Sequence, residues 1–157
     1  MEISPKLAAL APDLRMSYPR SPRELFAGYL LAGRALDKCL AELLGWHGEY
    51  CFNVPSGATT SLDDVFFKFT EIAPEDFRAQ VATGATDEEM AEWIAAQAKP
   101  RPRIEIIQWN NWLRDFRLSD APPEVQEYME DYMPRHLPKG RVVHHFLDIY
   151  DIEEGRL

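Results

Sequence analysis

Residues 19–45 read PRSPRELFAGYLLAGRALDKCLAELLG, and this stretch specifies the start, the buried face and the end of one long helix. Ser21 stands at an N-cap position, Pro22 follows at the first helical position, and Glu24 comes three residues after Ser21. This spacing is a capping box, in which each of the two side chains bonds the other residue's backbone N–H group. Gly45 suits the left-handed backbone conformation that ends many helices. The stretch therefore predicts a helix that begins after Ser21 and ends at Gly45.

Apolar side chains repeat along this helix at the three- and four-residue spacing of a buried face. They are Leu25, Phe26, Tyr29, Leu30, Leu36, Leu40, Leu43 and Leu44. Charged side chains recur on the other side, namely Arg23, Arg34, Lys38 and Glu42. We therefore expect one face to pack against a core and the other to meet solvent.

Length and charge exclude several classes of protein. The 157 residues are enough for one domain, and such a chain buries about two thirds of the surface that its unfolded form exposes. Apolar residues make up 46% and charged residues 27%, as in ordinary globular proteins and unlike disordered chains. The net charge of −9 opposes non-specific binding to nucleic acid or to an anionic membrane. Neither is expected as a partner.

The cysteine content indicates a reducing compartment. Cys39 and Cys51 are the two cysteines, and they do not form a Cys-x-x-Cys pair. The sequence shows no signal peptide and no apolar run long enough to span a bilayer. We therefore expect a cytoplasmic protein with two buried thiols.

Proline, glycine and capping residues divide the rest of the chain into further helices. The predicted segments run from Ser61 to Pro74, from Pro74 to Gly84, from Thr86 to Lys99, from Arg103 to Phe116 and from Pro122 to Pro134. Thr86 and Glu89 repeat the capping box. The helix over residues 103–116 has the widest apolar arc, so we expect it to be central.

The segments outside these helices are less regular. Prolines over residues 1–20 predict an extended lead-in, with at most one helical turn from Leu7 to Leu10. Residues 46–55 alternate in polarity, which indicates a short extended segment, and residues 56–60 are typical of a loop. The tail over residues 142–157 fits either a short helix or an irregular arm. The sequence as a whole predicts an all-α fold, a single compact bundle of about six helices spanning residues 1–157.

Cations on and before the first long helix form one candidate binding site. Arg20, Arg23, Arg34 and Lys38 could hold a carboxylate or a phosphate. Arg23 and Lys38 are separated by about 22 Å along a helix, too far to grip one small anion together. Arg20 with Arg23, or Arg34 with Lys38, could do so. The alternative is a solvated or ion-paired face.

A second candidate cluster lies where this helix meets the extended segment. Asp37 and Lys38 are expected beside Glu49 and Tyr50, where they could contact a ligand. The alternative is local pairing along the helix, with Asp37 bound to Arg34. Lys38 would then pair with Glu42.

The histidines suggest a metal site, although their spacing does not support one. His47, His136, His144 and His145 could join Asp148 in binding a divalent ion. Adjacent histidines on a helix point about 100° apart, and no His-x-x-x-His or Glu-x-x-His pair occurs. Whether His47, His144 and His145 meet is not determined by the sequence, so it assigns no metal ligand and no cofactor.

Short motifs in this chain resemble a known family. They are Arg20-Ser21-Pro22-Arg23-Glu24, Gly28-Tyr29, Leu36-Asp37-Lys38, Gly48-Glu49-Tyr50, Glu92-Trp93-Ile94 and the segment Trp109 to Trp112. Over roughly residues 13–150 the sequence resembles an uncharacterised bacterial family, the domain of unknown function numbered five thousand and sixty-nine. The resemblance implies a small, soluble, bacterial cytoplasmic protein and no particular reaction. The connection from Val54 to Leu62 is longer here than in that family.

Three functions are compatible with these patterns. The absence of catalytic spacing favours a non-enzymatic binding or interaction module, which presents the face from Arg20 to Lys38 or an exposed aromatic patch to a protein or small molecule. A metal-dependent hydrolase or transferase using His47, His144 or His145, and Asp148 is the second. A purely structural role is the third. The sequence leaves homo-oligomer formation, the ligand and the biological process open.

Overall fold

The fold consists of helices joined by turns, as the computed structural model describes for residues 4–55 and 61–157. The helices are α1 Pro5–Leu10, α2 Ala32–Leu43, α3 Leu62–Thr70, α4 Pro74–Ala82, α5 Asp87–Gln97, α6 Arg103–Asp115, α7 Pro123–His136 and α8 Asp148–Glu153, with a 3₁₀ turn at Leu118–Asp120. The described ranges contain no strand, and α2 to α7 are the six longer helices. The predicted all-α bundle of about six helices is confirmed.

Two further observations concern the connections. Residues 46–55 follow an irregular path with turns at residues 48–49 and 52–53. The predicted loop at residues 56–60, and with it the length of the connection from Val54 to Leu62, lies outside the described residues.

Over the described ranges, none of the helices combines the length and the apolar character needed to cross a membrane.

Helix α2 lies at the centre of the bundle. Every residue from Ala32 to Ala41 is buried, and the helix packs against α3 and α4. Aromatic rings fill the space between them, with Phe66 and Phe77 wholly buried. Because so much of α2 is enclosed, its charged residues need partners inside the protein.

The start of α2 differs from the prediction. The helix begins at Ala32, after Leu31 in a left-handed conformation with φ of 72°. Residues 26–29 instead form a tight turn, in which Phe26 and Tyr29 exchange backbone hydrogen bonds and Ala27 and Gly28 have positive φ. The predicted capping box of Ser21 and Glu24 is therefore wrong.

Side chains from distant helices explain why α2 begins at Ala32 and not directly after Ser21. The Ser21 hydroxyl accepts from the Arg23 N–H and donates to Asp151, so it does not cap a helix. On α6, the Asn110 side-chain oxygen accepts from the Leu30 N–H and its amide donates to the Gly28 carbonyl. These bonds satisfy backbone groups that a longer helix would have satisfied itself.

The end of α2 follows the prediction. The Trp46 N–H donates to Ala41 and the Gly45 N–H donates to Glu42, which is the bonding pattern of a Schellman motif. Gly45 takes a φ of 72°, a conformation that glycine adopts without steric cost. The predicted helix stop at Gly45 is confirmed.

Local signals also predicted the next three helices correctly. Ser61 caps α3 by accepting from the Asp63 N–H, and Pro74 begins α4. Thr86 and Glu89 form the predicted capping box at the start of α5. Each of these helix starts depends only on residues close in the chain, so long-range packing does not displace it.

Helix α6 is less buried than expected. Only Asn110 and Leu113 are buried, whereas the side chains of Ile104 and Trp112 are more than half exposed. The expectation that α6 is central is wrong, because α2 occupies that place. The wide apolar arc of α6 partly faces solvent.

The N-terminal segment and α7 bring two further differences, while the tail takes one of the two forms expected for it. Residues 5–10 form helix α1 rather than an extended lead-in, and Leu7 is buried. Helix α7 passes through Pro134 and ends at His136, where the predicted stop fails by two residues. The tail contains the short helix α8, while Val142 is exposed. A proline in the last turn removes only one backbone bond, so α7 can continue past it.

Candidate functional site

A pocket of about 380 Å³ opens beside α2, and we name it the tyrosine pocket. Its lining residues are Arg34, Lys38, Glu49, Tyr50, Cys51, Val54, Pro55, Ser61, Leu62, Tyr132, Tyr150, Glu153 and Glu154. They come from α2, the segment 46–55, the start of α3, α7 and α8. A polar pocket of this size, built from distant parts of the chain, has the dimensions of a small-molecule site.

The tyrosine pocket contains four of the seven ligand-binding candidates. Arg34, Lys38, Glu49 and Tyr50 line it, so three members of the predicted cluster of Asp37, Lys38, Glu49 and Tyr50 lie together. The other three, Arg20, Arg23 and Asp37, are not part of its lining.

Arg34 is held at the pocket floor by a buried carboxylate. Its guanidinium donates to both oxygens of Glu154, at 2.9 and 2.6 Å, and also to the Arg20 carbonyl at 3.1 Å. The two side chains are only 4% and 3% exposed. The Arg34 guanidinium also lies over the rings of Tyr50 and Tyr150, 5.6 and 5.2 Å from their centres. Three hydrogen bonds and two neighbouring aromatic rings therefore hold the Arg34 guanidinium in place.

Burial and neighbouring charges determine the protonation states of Glu154, Tyr50 and Tyr150. Burial alone would raise the pKa of the Glu154 carboxyl, but hydrogen bonds from Arg34 and Arg156 outweigh burial and lower that pKa below its ordinary value. Burial raises the pKa of Tyr150 to about 12 and also raises the pKa of Tyr50. At neutral pH the pocket therefore contains an ionised Glu154 and protonated tyrosines.

Lys38 is also paired with a buried acid. Its Nζ lies 2.8 Å from Oδ2 of Asp63, and the two side chains are 11% and 1% exposed. The same carboxylate oxygen accepts from the Asn53 N–H at 2.7 Å. The expected pairing of Lys38 with Glu42 is wrong, because Glu42 binds Arg78 instead.

Arg20 and Asp37 form a separate group together with Asp87. The Arg20 backbone N–H donates to Asp37 at 2.8 Å, and its guanidinium lies 3.2 Å from the same carboxylate and 3.1 Å from Asp87. Burial raises the pKa of Asp37, and the charge of Arg20 offsets only part of this effect. The expected pairing of Asp37 with Arg34 is wrong. Gly33 makes room here, since a Cβ at that position would lie 3.0 Å from the Arg20 side chain.

Arg23 fastens the segment before α2 to α8. Its guanidinium donates to Asp148 at 2.6 Å and to Asp151 at 3.1 Å. Burial acts to raise the pKa of Asp148, but hydrogen bonding to Arg23 lowers that pKa on balance. All four candidate cations are thus ion-paired, as one of the two alternatives predicted. They do not form an exposed face from Arg20 to Lys38, because Arg34 and Lys38 are buried.

The walls of the tyrosine pocket carry excess negative charge. Two cations, Arg34 and Lys38, face three acids, Glu49, Glu153 and Glu154, which gives the lining a formal charge of −1. The Tyr132 hydroxyl donates to Glu153 at 2.7 Å, and burial followed by this hydrogen bond raises the pKa of Tyr132. Glu49 is exposed at the rim.

Sequence reasoning missed the part of the pocket that comes from α7 and α8. Tyr132, Tyr150, Glu153 and Glu154 were not among the candidates. The available signal was weak. Tyr150 and the two glutamates are three and four residues apart on a short amphipathic helix, which is ordinary for a solvent-facing turn.

The histidines considered as metal ligands do not assemble around Asp148 in the described residues. Asp148 is occupied by Arg23 at one oxygen and lies 3.5 Å from His145 at the other. In the part of the chain that the structure describes, His47 does not gather with His144, His145 or Asp148 into a set of three ligands, since its neighbours are Glu42 and Cys51. The sequence assigned no metal ligand to these histidines, and among the described residues they do not gather around Asp148.

The two cysteines differ in exposure. Cys39 is buried and Cys51 is exposed, so the expectation of two buried thiols is half correct. Burial raises the pKa of the Cys39 thiol to about 12. Of the two thiols, only Cys51 is accessible for reaction or metal binding.

A second, apolar pocket of about 290 Å³ lies between α3, α6, α7 and the residues just before α8. Its lining includes Trp112, Phe116, Val125, Phe146 and Leu147. Trp112 is the most exposed of the four tryptophans, and Trp109 instead stacks on Phe69 at the edge of the core. Trp46, Trp93 and Trp109 are half-buried, whereas Trp112 is exposed.

Comparison with known proteins places the chain in a family without assigning an activity. No curated protein matches it. Residues 16–156, nearly the whole chain, match the family described as a domain of unknown function (DUF5069). The resemblance found in the short motifs is thereby confirmed, and the chain belongs to this family.

Proposed function

We propose that the protein is a non-enzymatic binding module, and that its tyrosine pocket binds a small molecule or side chain carrying a protonated amine. One observation carries this proposal. The two cations in the pocket are each paired with a buried carboxylate, while Glu49 and Glu153 remain at its wall and rim.

An anionic ligand would meet unfavourable electrostatics. To reach Arg34 it would have to compete with Glu154, which already makes two charge-assisted hydrogen bonds in a buried place. Lys38 is paired with Asp63, whose side chain is 1% exposed. Including Asp63 and Arg156, the partners of Lys38 and Glu154 behind the lining, the charges sum to −1, from three cations and four acids. This balance favours a cation.

The aromatic side chains favour the same ligand class. An ammonium group binds the face of a tyrosine ring through the quadrupole of the ring, and a nearby carboxylate adds to this attraction. Tyr132 provides a ring at the wall and also orients the Glu153 carboxylate through its hydroxyl. A ligand amine between Tyr132 and Glu153 would therefore find both contacts in fixed positions.

The chemistry of the lining supports binding rather than catalysis. The described lining contains no histidine, and its tyrosines have raised pKa values because of burial, so they remain protonated at neutral pH. Its buried acid, Glu154, is held ionised by Arg34. A general base needs a pKa near the working pH, which these groups do not have.

The experiment compares amine and anion probes by protein-observed NMR and calorimetry. Butylamine, choline and N-acetyllysine amide are the amine probes, and acetate and inorganic phosphate are the anions. We expect saturable binding of at least one amine, weakened by salt, with shifts confined to the tyrosine pocket. Anion binding at the pocket without amine binding would overturn the proposal.

Matched variants test whether the amine binds in the tyrosine pocket. Glu153→Gln and Tyr132→Phe each remove one amine-binding contact or its support, and a loss of about tenfold in affinity corresponds to about 1.4 kcal/mol. Glu124→Gln changes an exposed acid at the apolar pocket and should leave the affinity unchanged. Equal affinity in all three variants would argue against the pocket as the site.

The cellular setting remains part of this proposal. We place the protein in a bacterial cytoplasm, which the free thiols of Cys39 and Cys51 support. The net charge of −9 supports the absence of a nucleic-acid or membrane partner. Fractionation of the source cells with antibody detection tests the location. Homo-oligomer formation stays a prediction for light scattering to check.

A further inference from the structure

Three potential metal ligands lie together where α2 ends. Glu42, His47 and Cys51 each direct a ligand atom toward a common point, and these atoms lie within 4.8 Å of one another. This group is different from the histidine and Asp148 set considered from the sequence, and it shares only Cys51 with the tyrosine pocket.

The backbone after α2 brings the three side chains together. The Schellman motif at Gly45 reverses the chain directly after Glu42, so that His47 returns toward the last turn of the helix. The Tyr50 N–H then donates to the His47 carbonyl at 2.9 Å, and this turn carries Cys51 back beside His47. The arrangement is thus produced by backbone hydrogen bonds and does not depend on the side chains finding each other.

Glu42 is already oriented by hydrogen bonds, and His47 has a ring nitrogen without a hydrogen-bond partner. The Glu42 oxygens accept from the Phe52 N–H and from Arg78, each at 2.8 Å, and each oxygen keeps a second lone pair. The Nδ1 atom of His47 is buried and has no hydrogen-bond partner. A buried nitrogen without a partner costs free energy unless it binds something, and this is an observation independent of the clustering.

We propose that Glu42, His47 and Cys51 bind a zinc ion. Thiolate, imidazole and carboxylate are the three side-chain ligands that zinc uses, and three protein ligands leave the fourth tetrahedral position for water or a ligand. Neighbouring ligand atoms of tetrahedral zinc lie about 3.5 Å apart, as follows from Zn–S and Zn–N bonds of about 2.3 and 2.0 Å. The present spacing of up to 4.8 Å would have to shorten to that value when the ion binds.

The charge balance is compatible with a divalent cation. Cys51 binds as a thiolate and releases its proton to solvent, so the thiolate and the Glu42 carboxylate together supply two negative charges. Arg78 opposes the ion, but its side chain is 40% exposed and can turn toward solvent. The proposal does not rest on amine binding, since Glu42 and His47 are outside the tyrosine pocket.

The test is a cobalt and zinc titration of the full chain, purified without an affinity tag and kept reduced. Cobalt(II) is the spectroscopic probe, because a thiolate ligand gives a charge-transfer band and tetrahedral coordination gives intense visible bands. We expect one equivalent to bind, zinc to displace it, and zinc to raise the melting temperature. Absence of saturable binding, or a spectrum without the thiolate band, would overturn the proposal.

Variants separate this site from other ligands in the protein. Cys51→Ser should abolish the charge-transfer band, and His47→Gln should weaken cobalt binding at least tenfold. Cys39→Ala and His144→Gln lie outside the cluster and should bind as the unchanged protein does. Circular dichroism checks that each variant is folded. Retention of the band in Cys51→Ser, or its loss in Cys39→Ala, would refute the assignment.

Discussion

The buried pair of Arg34 and Glu154 allows a quantitative test of the fold. Replacing Arg34 with Met keeps most of the side-chain volume and removes the charge, so Glu154 loses two hydrogen bonds while it remains 3% exposed. Removing one partner of a buried ion pair costs about 3–5 kcal/mol, because the other charge stays buried without compensation. Arg156 still contacts Glu154 at 2.5 Å, so we expect the lower end of this range.

The assay is urea denaturation followed by circular dichroism, with thermal melting as a second measure. A loss of about 3 kcal/mol corresponds to a drop of roughly 6–12 °C in melting temperature for a chain of this size. The double variant Arg34→Met with Glu154→Met removes both charges, and we expect it to recover most of the lost free energy of unfolding. Recovery would show that the penalty comes from the uncompensated carboxylate.

Lys68→Met is the matched control, because it breaks an ion pair of similar length on the surface. Lys68 lies 2.8 Å from Asp64, but its side chain is 74% exposed. Such a pair contributes less than about 1 kcal/mol. If Arg34→Met and Lys68→Met unfold with the same free energy, or if the double variant is less stable than Arg34→Met, the reasoning from burial is wrong.

Three further predictions concern pH, the segment before α2 and the thiols. The pKa of Glu154 is below its ordinary value of 4.5, so its ionised form stabilises the fold above that pH and this stabilisation is lost as the pH falls through the lowered pKa. The difference in unfolding free energy between the unchanged protein and Glu154→Gln should therefore be constant near neutral pH and shrink in acid; a difference that grew in acid would contradict the sign. Asn110→Ala leaves the buried Leu30 N–H unpaired and removes the hydrogen bond to the carbonyl of the exposed Gly28, so it should cost about 2 kcal/mol in urea denaturation. The exposed Asn111→Ala should cost little, and equal effects would refute the role of the Asn110 amide. A chromogenic disulfide reagent should modify Cys51 rapidly and Cys39 only on unfolding, because burial raises the pKa of Cys39 to about 12; rapid reaction of two thiols would contradict this burial.

The features that the sequence predicted are those that depend on near neighbours. Ser61, Thr86 and Gly45 act within one helical turn, and each was found in its predicted role. The start of α2 depends instead on Asn110 and Asp151, which are far away in the chain. A strong local capping pattern at Ser21 was overridden by these long-range bonds, and no local pattern could indicate that.

In the candidate site too, the residues that could be predicted are those close to one another in the chain. Arg34, Lys38, Glu49 and Tyr50 lie within one helix and the turns that follow it, so their neighbourhood was predictable from chain proximity. The contribution of α7 and α8 was not, because it depends on how those helices dock. Ion pairing along the helix was predicted with the wrong partners for the same reason, since buried acids from elsewhere bind the cations more favourably than exposed ones nearby.

The pairing of Arg34 with Glu154 also bears on synthesis of the protein. The two residues are 120 positions apart, and Arg34 belongs to the helix around which the other helices pack. Until Glu154 has been synthesised and has left the ribosome, the guanidinium of Arg34 in α2 has no carboxylate to pair with. The nascent chain therefore reaches its final packing only after α8 and Glu154 have been synthesised, and a product truncated before α8 would present an unfinished interior to chaperones and proteases.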